Sequence, residues 1–398
     1  MRSYLSLMLL LTVFLLISTS SCQTQENQQE QSGRVTSYIP EQRPFSEELL
    51  AQLKVPGGFK VNVFAKNLEN PRMIAVNNNG AVYITQPDQN NVVRLQDTNN
   101  DGISDQKNIV ASGLKDVHGI TIRNNYLYLA TPTELFRAPM NEQGNVGQPE
   151  KLPCSLPPGG RHPNRTIAFG PDDMLYVSVG SSCDACVENN PKYASILRMN
   201  PDGTNCQIYA TGLRNTIGFD WHPVTGQMWG MDQGSDWRGA DIPPEELNRI
   251  EQGGNYGWPW CYGKQQVDKM IQGNPEGTSK EEYCIQTKPS ALTYQAHSSP
   301  IGYIFYTGSQ FPEEYNNDAF QVFRGSWNRQ PPVGYKVARI HFERGQPVKF
   351  EDFLTGFLIE NKTAQFARLA GIAIAKDGSL LVSDDQNGVI YRISYKNK

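Results

Sequence analysis

The residues best suited to chemistry in this chain stand just ahead of apolar β-type runs. His162 lies in Gly159-Gly160-Arg161-His162-Pro163-Asn164-Arg165, a Gly/Pro-rich turn that leads into Thr166-Ile167-Ala168-Phe169. A neutral imidazole in such a place can take the proton of an alcohol; a histidine satisfied within its turn is the plain alternative. His118 holds the comparable position ahead of Gly119-Ile120-Thr121-Ile122, whereas His222, His297 and His341 read as structural. Gly212-Leu213-Arg214-Asn215 precedes the next run, and an arginine there can hold an anion or stabilise charge on an oxygen. A loop ion pair would explain it equally. Arg324, Arg329 and Arg368 each sit near a later run. Several cations facing one channel are costly without an anion, and carboxylates are the natural partner. Singly, each could be a solvated side chain.

Two segments suit a cation. In Asp232-Gln233-Gly234-Ser235-Asp236, followed by Asn255-Tyr256-Gly257-Trp258-Pro259, a glycine lets backbone carbonyls turn toward an ion. The alternative is an ordinary tight turn. Asp97-Thr98-Asn99-Asn100-Asp101-Gly102-Ile103-Ser104-Asp105 follows the first half of an EF-type loop, with Asp97, Asn99, Asp101 and Asp105 as oxygen donors for a structural calcium. Asn108 stands where that loop needs its bidentate Glu, so a polar hairpin is the competing account.

The elements that must position these residues form an internal repeat. Each copy reads as an apolar strand, a Gly/Asp turn, a second apolar strand and a third strand ending near Arg-Ile or Arg-Leu. The copies begin at Met73, Gly119, Thr166, Thr216, Ile301 and Gly371. Alternating β-branched and aromatic residues give the strand assignment. Six copies predict an all-β, six-bladed β-propeller over residues 51–398. Phe59 to Phe64 is expected to supply an outer strand to the last blade. Copies four and five are longest, so their extra residues should be loops, with a short helix over Pro243 to Asn248.

Taken together, the segments resemble the soluble quinoprotein glucose dehydrogenase and sorbosone dehydrogenase family from about Pro56 to the C-terminus. The resemblance rests on His162 followed by Ile167-Ala168-Phe169-Gly170-Pro171-Asp172, then Gly212-Leu213-Arg214-Asn215, then Gly253-Gly254-Asn255-Tyr256-Gly257-Trp258-Pro259, in that order. The cysteine-bearing segments and Ala296-His297-Ser298-Ser299-Pro300 resemble the sorbosone branch more closely. The resemblance implies oxidation of a sugar (an aldose, a sorbosone-like aldehyde or a related polyol) with pyrroloquinoline quinone (PQQ) and Ca2+. It makes His162 the base, Arg214 the neighbour of the quinone carbonyl and Asn215 a cofactor contact. Gly234 and Ser235 would offer carbonyls to calcium. His118, Arg324, Arg329 and Arg368 would hold the cofactor. Here Arg368 matches one of two closely spaced family arginines, Ala370 stands near the other, and Arg324 or Arg329 must stand in for a family lysine.

Composition sets the surroundings. The chain has 398 residues, a net charge of −4 and 19% charged residues, with no long basic run, which argues against nucleic acid as a partner. Residues 1–22 read as a lipoprotein-type signal ending in Ser18-Thr19-Ser20-Ser21-Cys22, with Cys22 lipidated and Thr19 where Leu is usual. Ordinary secretion or an uncleaved anchor are the alternatives. Residues 23–50 are expected to tether the domain to a membrane, at the cell surface or in the periplasm. Cys154, Cys183, Cys186, Cys206, Cys261 and Cys284 suit disulfides in an exported protein. Proximity favours Cys261 with Cys284; Cys183 and Cys186 could close on each other, leaving Cys154 with Cys206. With no haem motif of its own, such an enzyme would pass electrons to an external acceptor such as a cytochrome. The rival functions are a non-catalytic envelope propeller that binds carbohydrate or protein, and a calcium-dependent lactonase-type hydrolase.

Overall fold

The computed structural model describes residues 37–396. The expected signal segment, Cys22 and the tether as far as residue 36 lie outside the described residues.

Six four-stranded antiparallel sheets form the blades. From the centre outwards, blade 1 is Ile74–Val76, Val82–Gln86, Asn91–Gln96 and Gln106–Ser112, and blade 2 is Gly119–Arg123, Tyr126–Ala130, Leu135–Pro139 and Glu150–Lys151. Blade 3 is Ile167–Phe169, Leu175–Val179, Ser195–Met199 and Gln207–Thr211; blade 4 is Thr216–Trp221, Met228–Asp232, Glu245–Ile250 and Leu292–Tyr294. Blade 5 is Pro300–Phe305, Ala319–Phe323, Lys336–Glu343 and Gln346–Leu354. Blade 6 combines Leu369–Ile374, Leu380–Asp384 and Val389–Tyr395 with Phe59–Ala65 from the start of the domain. Inner strands of successive blades adjoin around a ring, and between blades 3 and 4 the second strand of one meets the first of the next.

Packing explains the repeat. The second strand of every blade has neighbours on both faces, so Val82–Gln86, Leu175–Val179 and Leu380–Asp384 are buried along their whole length. Inner strands must approach closely. A Cβ on Gly218 would overlap the Ile301 carbonyl of the next blade, so only glycine fits there. Ring closure is an aromatic lock: Phe59, on the returning strand, meets Phe311 and Phe353 edge-on at 4.7 and 5.0 Å.

Two expectations are corrected. Pro243 to Asn248 is not helical: Glu245–Ile250 is the third strand of blade 4, because its backbone pairs with Met228–Asp232 on one side and Leu292–Tyr294 on the other. The boundary of the tether at residue 50 also moves. Glu41–Gln42 pairs in parallel with Ala364–Gln365, and Phe45, Leu49 and Leu50 pack against the core, so the fold already includes this segment. The loop after Ile250 carries a short hairpin and the helix Lys280–Cys284, stapled by Cys261–Cys284. Cys154–Cys206 and Cys183–Cys186 complete three disulfides among the described residues. No helix among the described residues is long and apolar enough to cross a membrane.

Candidate active site

Strand register gathers the candidate residues on one face of the ring. The amides of Arg72 and His118 bond to Thr85 and Ala130, and those of Arg324 and Asp385 to Ser299 and Arg368. Each of these residues therefore sits where an inner strand begins or a second strand ends.

His162 precedes the inner strand of blade 3, and its amide bonds to the Ser181 carbonyl. Its Nδ1 lies 2.8 Å from Ser181 Oγ and 3.2 Å from the Ser181 carbonyl. Ser181 Oγ donates its own hydrogen to the Cys183 carbonyl at 2.7 Å. Both Ser181 oxygens are thus acceptors toward His162, which places the ring proton on Nδ1 and leaves Nε2 as the basic nitrogen. Burial, and then the charge of Arg214, pull the imidazole down to about 3, so the ring is neutral at physiological pH. Asn215 sits beside it. A Cβ on Gly180 would meet His162 Cβ at 2.6 Å and Asn215 Oδ1 at 2.7 Å, so both residues lean over that glycine.

Arg214 is 1% exposed and heavily engaged. Its Nε donates to the Asp184 carbonyl at 2.8 Å, Nη1 to the Gln233 carbonyl at 3.1 Å, and Nη2 to Asp184 Oδ1 at 2.7 Å and Asp236 Oδ2 at 3.4 Å. One Nη1 hydrogen remains of the five. Burial would raise Asp184, but Arg214 holds its carboxyl below the usual range. Asp236 also accepts from Arg161 and from Asn328, each at 3.0 Å, which fixes the His162 turn to blades 4 and 5. The Asn215 amide group donates to Gln233 Oε1 at 3.1 Å.

The opposite side of the face carries excess positive charge. Arg72 and Arg324 both bond to Asp385 Oδ2. Arg368 lies over the Tyr335 ring at 5.4 Å and donates to its hydroxyl at 3.3 Å. Burial, then Arg324, pulls Arg368 down to about 10, and the same two causes lower Arg72. Burial pushes neighbouring Asp384 up to about 7, which leaves Asp385 as the firmly ionised partner for three guanidinium groups. Arg368 Nε and His118 Nε2 are buried without a hydrogen-bond partner. Burial and Arg72 draw His118 down to about 3. A backbone relay joins the two sides: His118 Nδ1 lies 3.2 Å from the Arg165 carbonyl, and Arg165 Nη1 donates to the His162 carbonyl at 2.8 Å.

Arg72 was not among the sequence candidates, although it precedes the inner strand of blade 1 as Arg368 precedes that of blade 6. Aligning the repeat copies by that slot would have found it. Arg329 does not join the cluster. It bonds to the Ala240 carbonyl and, at 2.7 Å, to Asp241.

The Gly234–Ser235 segment lies beside Arg214. The Gly234 amide donates to Glu245 at 2.9 Å, and Ser235 Oγ accepts from Trp258 at 3.2 Å, while neither backbone carbonyl accepts a hydrogen bond among the described residues. Burial pushes Glu245 and Glu246 beneath it up to about 8. In the loop at Asp97, acidic oxygens cap their own turn, while Asp97 Oδ1 is buried without a hydrogen-bond partner. Asp97 accepts from Gly102, Asn99 from Asp101, Asp101 from Ile103, and Asp105 from Thr98, so the Asp97, Asp101 and Asp105 oxygens are not drawn to a common point. The Cys183 and Cys186 sulfurs, which stand close to the Glu188 carboxylate, are consumed by their disulfide and so are not free thiolates for a metal.

The fold and this face define a β-propeller whose mouth pairs a neutral histidine with an under-compensated arginine cluster. The chain belongs to the TrAA12-like family, whose profile matches residues 53–396. An uncharacterized protein of Borreliella burgdorferi is 31% identical over 368 residues, spanning 88% of this chain and 93% of the relative. A pyrroloquinoline quinone-dependent sugar dehydrogenase of Hypocrea jecorina is 24% identical across 68% of this chain and 72% of its own length. Among solved structures, a Trichoderma reesei carbohydrate-active enzyme of family AA12 superposes with a TM-score of 0.75 at 21% identity, covering 91% of this chain and 100% of that one. The PQQ domain of pyranose dehydrogenase from Coprinopsis cinerea, in its holo form, gives 0.73 at 19%, covering 89% and 98%.

Proposed function

We propose that this protein is a PQQ-dependent sugar dehydrogenase, with calcium as the second cofactor, working outside the cytoplasm. The observation that carries the reading is the charge imbalance at the mouth. Arg72, Arg324 and Arg368 face one firmly ionised carboxylate, with two buried nitrogens still unpartnered. Such a cluster suits a ligand bearing several carboxylates, as this quinone does. Arg72, Arg324, Arg368 and His118 would hold its acidic groups, with Asn215 as a further contact. The free carbonyls of Gly234 and Ser235 suit a hard cation. When bound, the quinone supplies a two-electron, hydride-accepting centre, and calcium polarises it.

The chain's own residues do the rest. Ser181 fixes the Nδ1–H tautomer, so His162 Nε2 is ready to take the proton of the sugar hydroxyl as hydride leaves its carbon. The depressed basicity of His162 keeps that nitrogen unprotonated before substrate arrives. Arg214, locked by Asp184 and Asp236, keeps a fixed positive charge beside the reacting oxygen and has one N–H left to offer it. The Arg161–Asp236 pair holds the turn that carries the base.

The family relatives named for sugar oxidation support an aldose, a sorbosone-like aldehyde or a related polyol as substrate class. A cytochrome or another external acceptor would remove the electrons, and a lipid at Cys22 would keep the enzyme at a membrane. Equilibrium titration of the purified protein with quinone, with and without calcium, tests the reading. Saturable binding that weakens without calcium supports it. Absence of binding together with calcium-dependent lactone opening would replace it with a hydrolase.

A further inference from the structure

Aromatic side chains among the described residues are buried or half-buried, with one exception. Among the described residues Trp237 alone is an exposed aromatic, at 40%. It also has φ of 61°, a left-handed conformation that is unfavourable for a bulky residue. Both of its chain neighbours are anchored. Asp236 is bound by Arg161, Arg214 and Asn328, and Arg238 pairs with buried Asp268 at 2.8 Å. The loop is therefore held so that an indole is presented in a costly conformation, against the tendency of such a ring to be buried.

What stands beside it gives the ring a use. Trp327, from blade 5, packs edge-on against Trp237 with ring centroids 5.2 Å apart. The two tryptophans follow Asp236 and precede Asn328, the pair joined at 3.0 Å, so this hydrogen bond sets the spacing of the rings. The same Asp236 holds Arg161, next to His162. The aromatic wall is thus built on the network that positions the base.

We propose that Trp237, braced by Trp327, is the platform on which the apolar C–H face of a pyranose ring of the substrate stacks, making it a residue that determines specificity for ring sugars over open-chain polyols. This rests on the sugar dehydrogenase reading above. A flat indole offers a broad apolar surface at low entropic cost, suited to the apolar C–H face of a ring sugar.

The test uses Trp237→Ala, Trp237→Phe and wild-type protein, each loaded with quinone and calcium. Dye-linked kinetics would be run with glucose, cellobiose and sorbitol. Removal of the platform is expected to raise KM for the pyranoses by about tenfold, with kcat and the KM for sorbitol nearly unchanged, and Phe should restore most of the loss. A second readout is titration of quinone-free protein with cellobiose, monitored by indole fluorescence; quenching present in wild type should vanish in the Ala variant. Equal pyranose KM values in Ala and wild type would overturn the proposal while leaving the dehydrogenase reading intact. An unchanged pyranose KM with a raised KM for a protein electron acceptor would overturn it in favour of a docking face. Absence of turnover in every form, with quenching present in wild type and lost in the Ala variant, would sink the dehydrogenase reading and leave Trp237 as a sugar-binding residue.

Discussion

Replacing Arg72 by methionine separates a cofactor-binding cluster from a structural ion pair. Arg72 is buried, and its charge is opposed by burial first and by Arg324 second. Asp385 keeps Arg324 when Arg72 is removed, so no buried carboxylate is left alone. Substitution should therefore change the stability of the quinone-free protein by no more than about 1 kcal/mol, since Asp385 stays paired with Arg324 and the desolvation cost of the Arg72 charge goes with it. Loss of one hydrogen bond to a charged group costs about 1.5–3 kcal/mol. On that basis quinone affinity should fall roughly 10- to 150-fold. Denaturant unfolding of the quinone-free variant gives the first quantity, and calorimetric titration with quinone the second. A variant that loses several kcal/mol of stability yet binds quinone as wild type would refute the reasoning and make Arg72 a counter-ion for Asp385.

Further outcomes follow from the same geometry. Ser181→Ala removes one of two acceptors at His162 Nδ1, so kcat/KM should drop about 2- to 10-fold with quinone affinity unchanged, and Ser181→Thr should recover it; full activity in the Ala variant would show that the tautomer is set elsewhere. His162 is held at about 3, so kcat/KM should show no acid limb near 6.5 and should fall only as pH approaches about 3. Stability should rise as pH falls from about 8 toward 5, because buried Glu245, Glu246, Asp384, Asp220 and Asp232, raised to about 8, 8, 7, 6 and 6, are protonated in the folded state but ionised when unfolded, and outweigh the opposite contribution of His118 and His162, which stay neutral when folded and titrate near 6.5 when unfolded. Urea unfolding across that range measures it. Gly218→Ala should destabilise by at least about 1–3 kcal/mol, because its Cβ overlaps the Ile301 carbonyl of the next blade; a thermal midpoint equal to wild type would contradict the close approach.

Much of the fold was legible because the inner three strands of each blade carry apolar alternation, as in Gly119–Arg123, Tyr126–Ala130 and Leu135–Pro139. Apart from Phe59–Ala65, the outer strands were not, since strands such as Gln106–Ser112 and Glu150–Lys151 face solvent and lose the hydrophobic period. Glu245–Ile250 was partly misread because its helix-compatible residues become a strand only through distant partners on both sides, Met228 with Ile250 upstream and Glu245 with Tyr294 downstream. The site divides the same way. His162, Arg214 and Asn215 stand out by their turns, whereas Arg72 is a lone arginine before Met73 whose meaning depends on Asp385, far along the chain. Ser181 likewise gains a role only when the ring folds it under His162.

The most direct test of the account is dye-linked turnover of a panel of sugars by purified protein, with calcium, with and without added quinone, in wild type and His162→Ala. The account predicts quinone-dependent oxidation of at least one sugar, reduced about 10²- to 10⁴-fold in the variant while quinone binding persists. Turnover that needs no quinone, or that survives unchanged in His162→Ala, would contradict it.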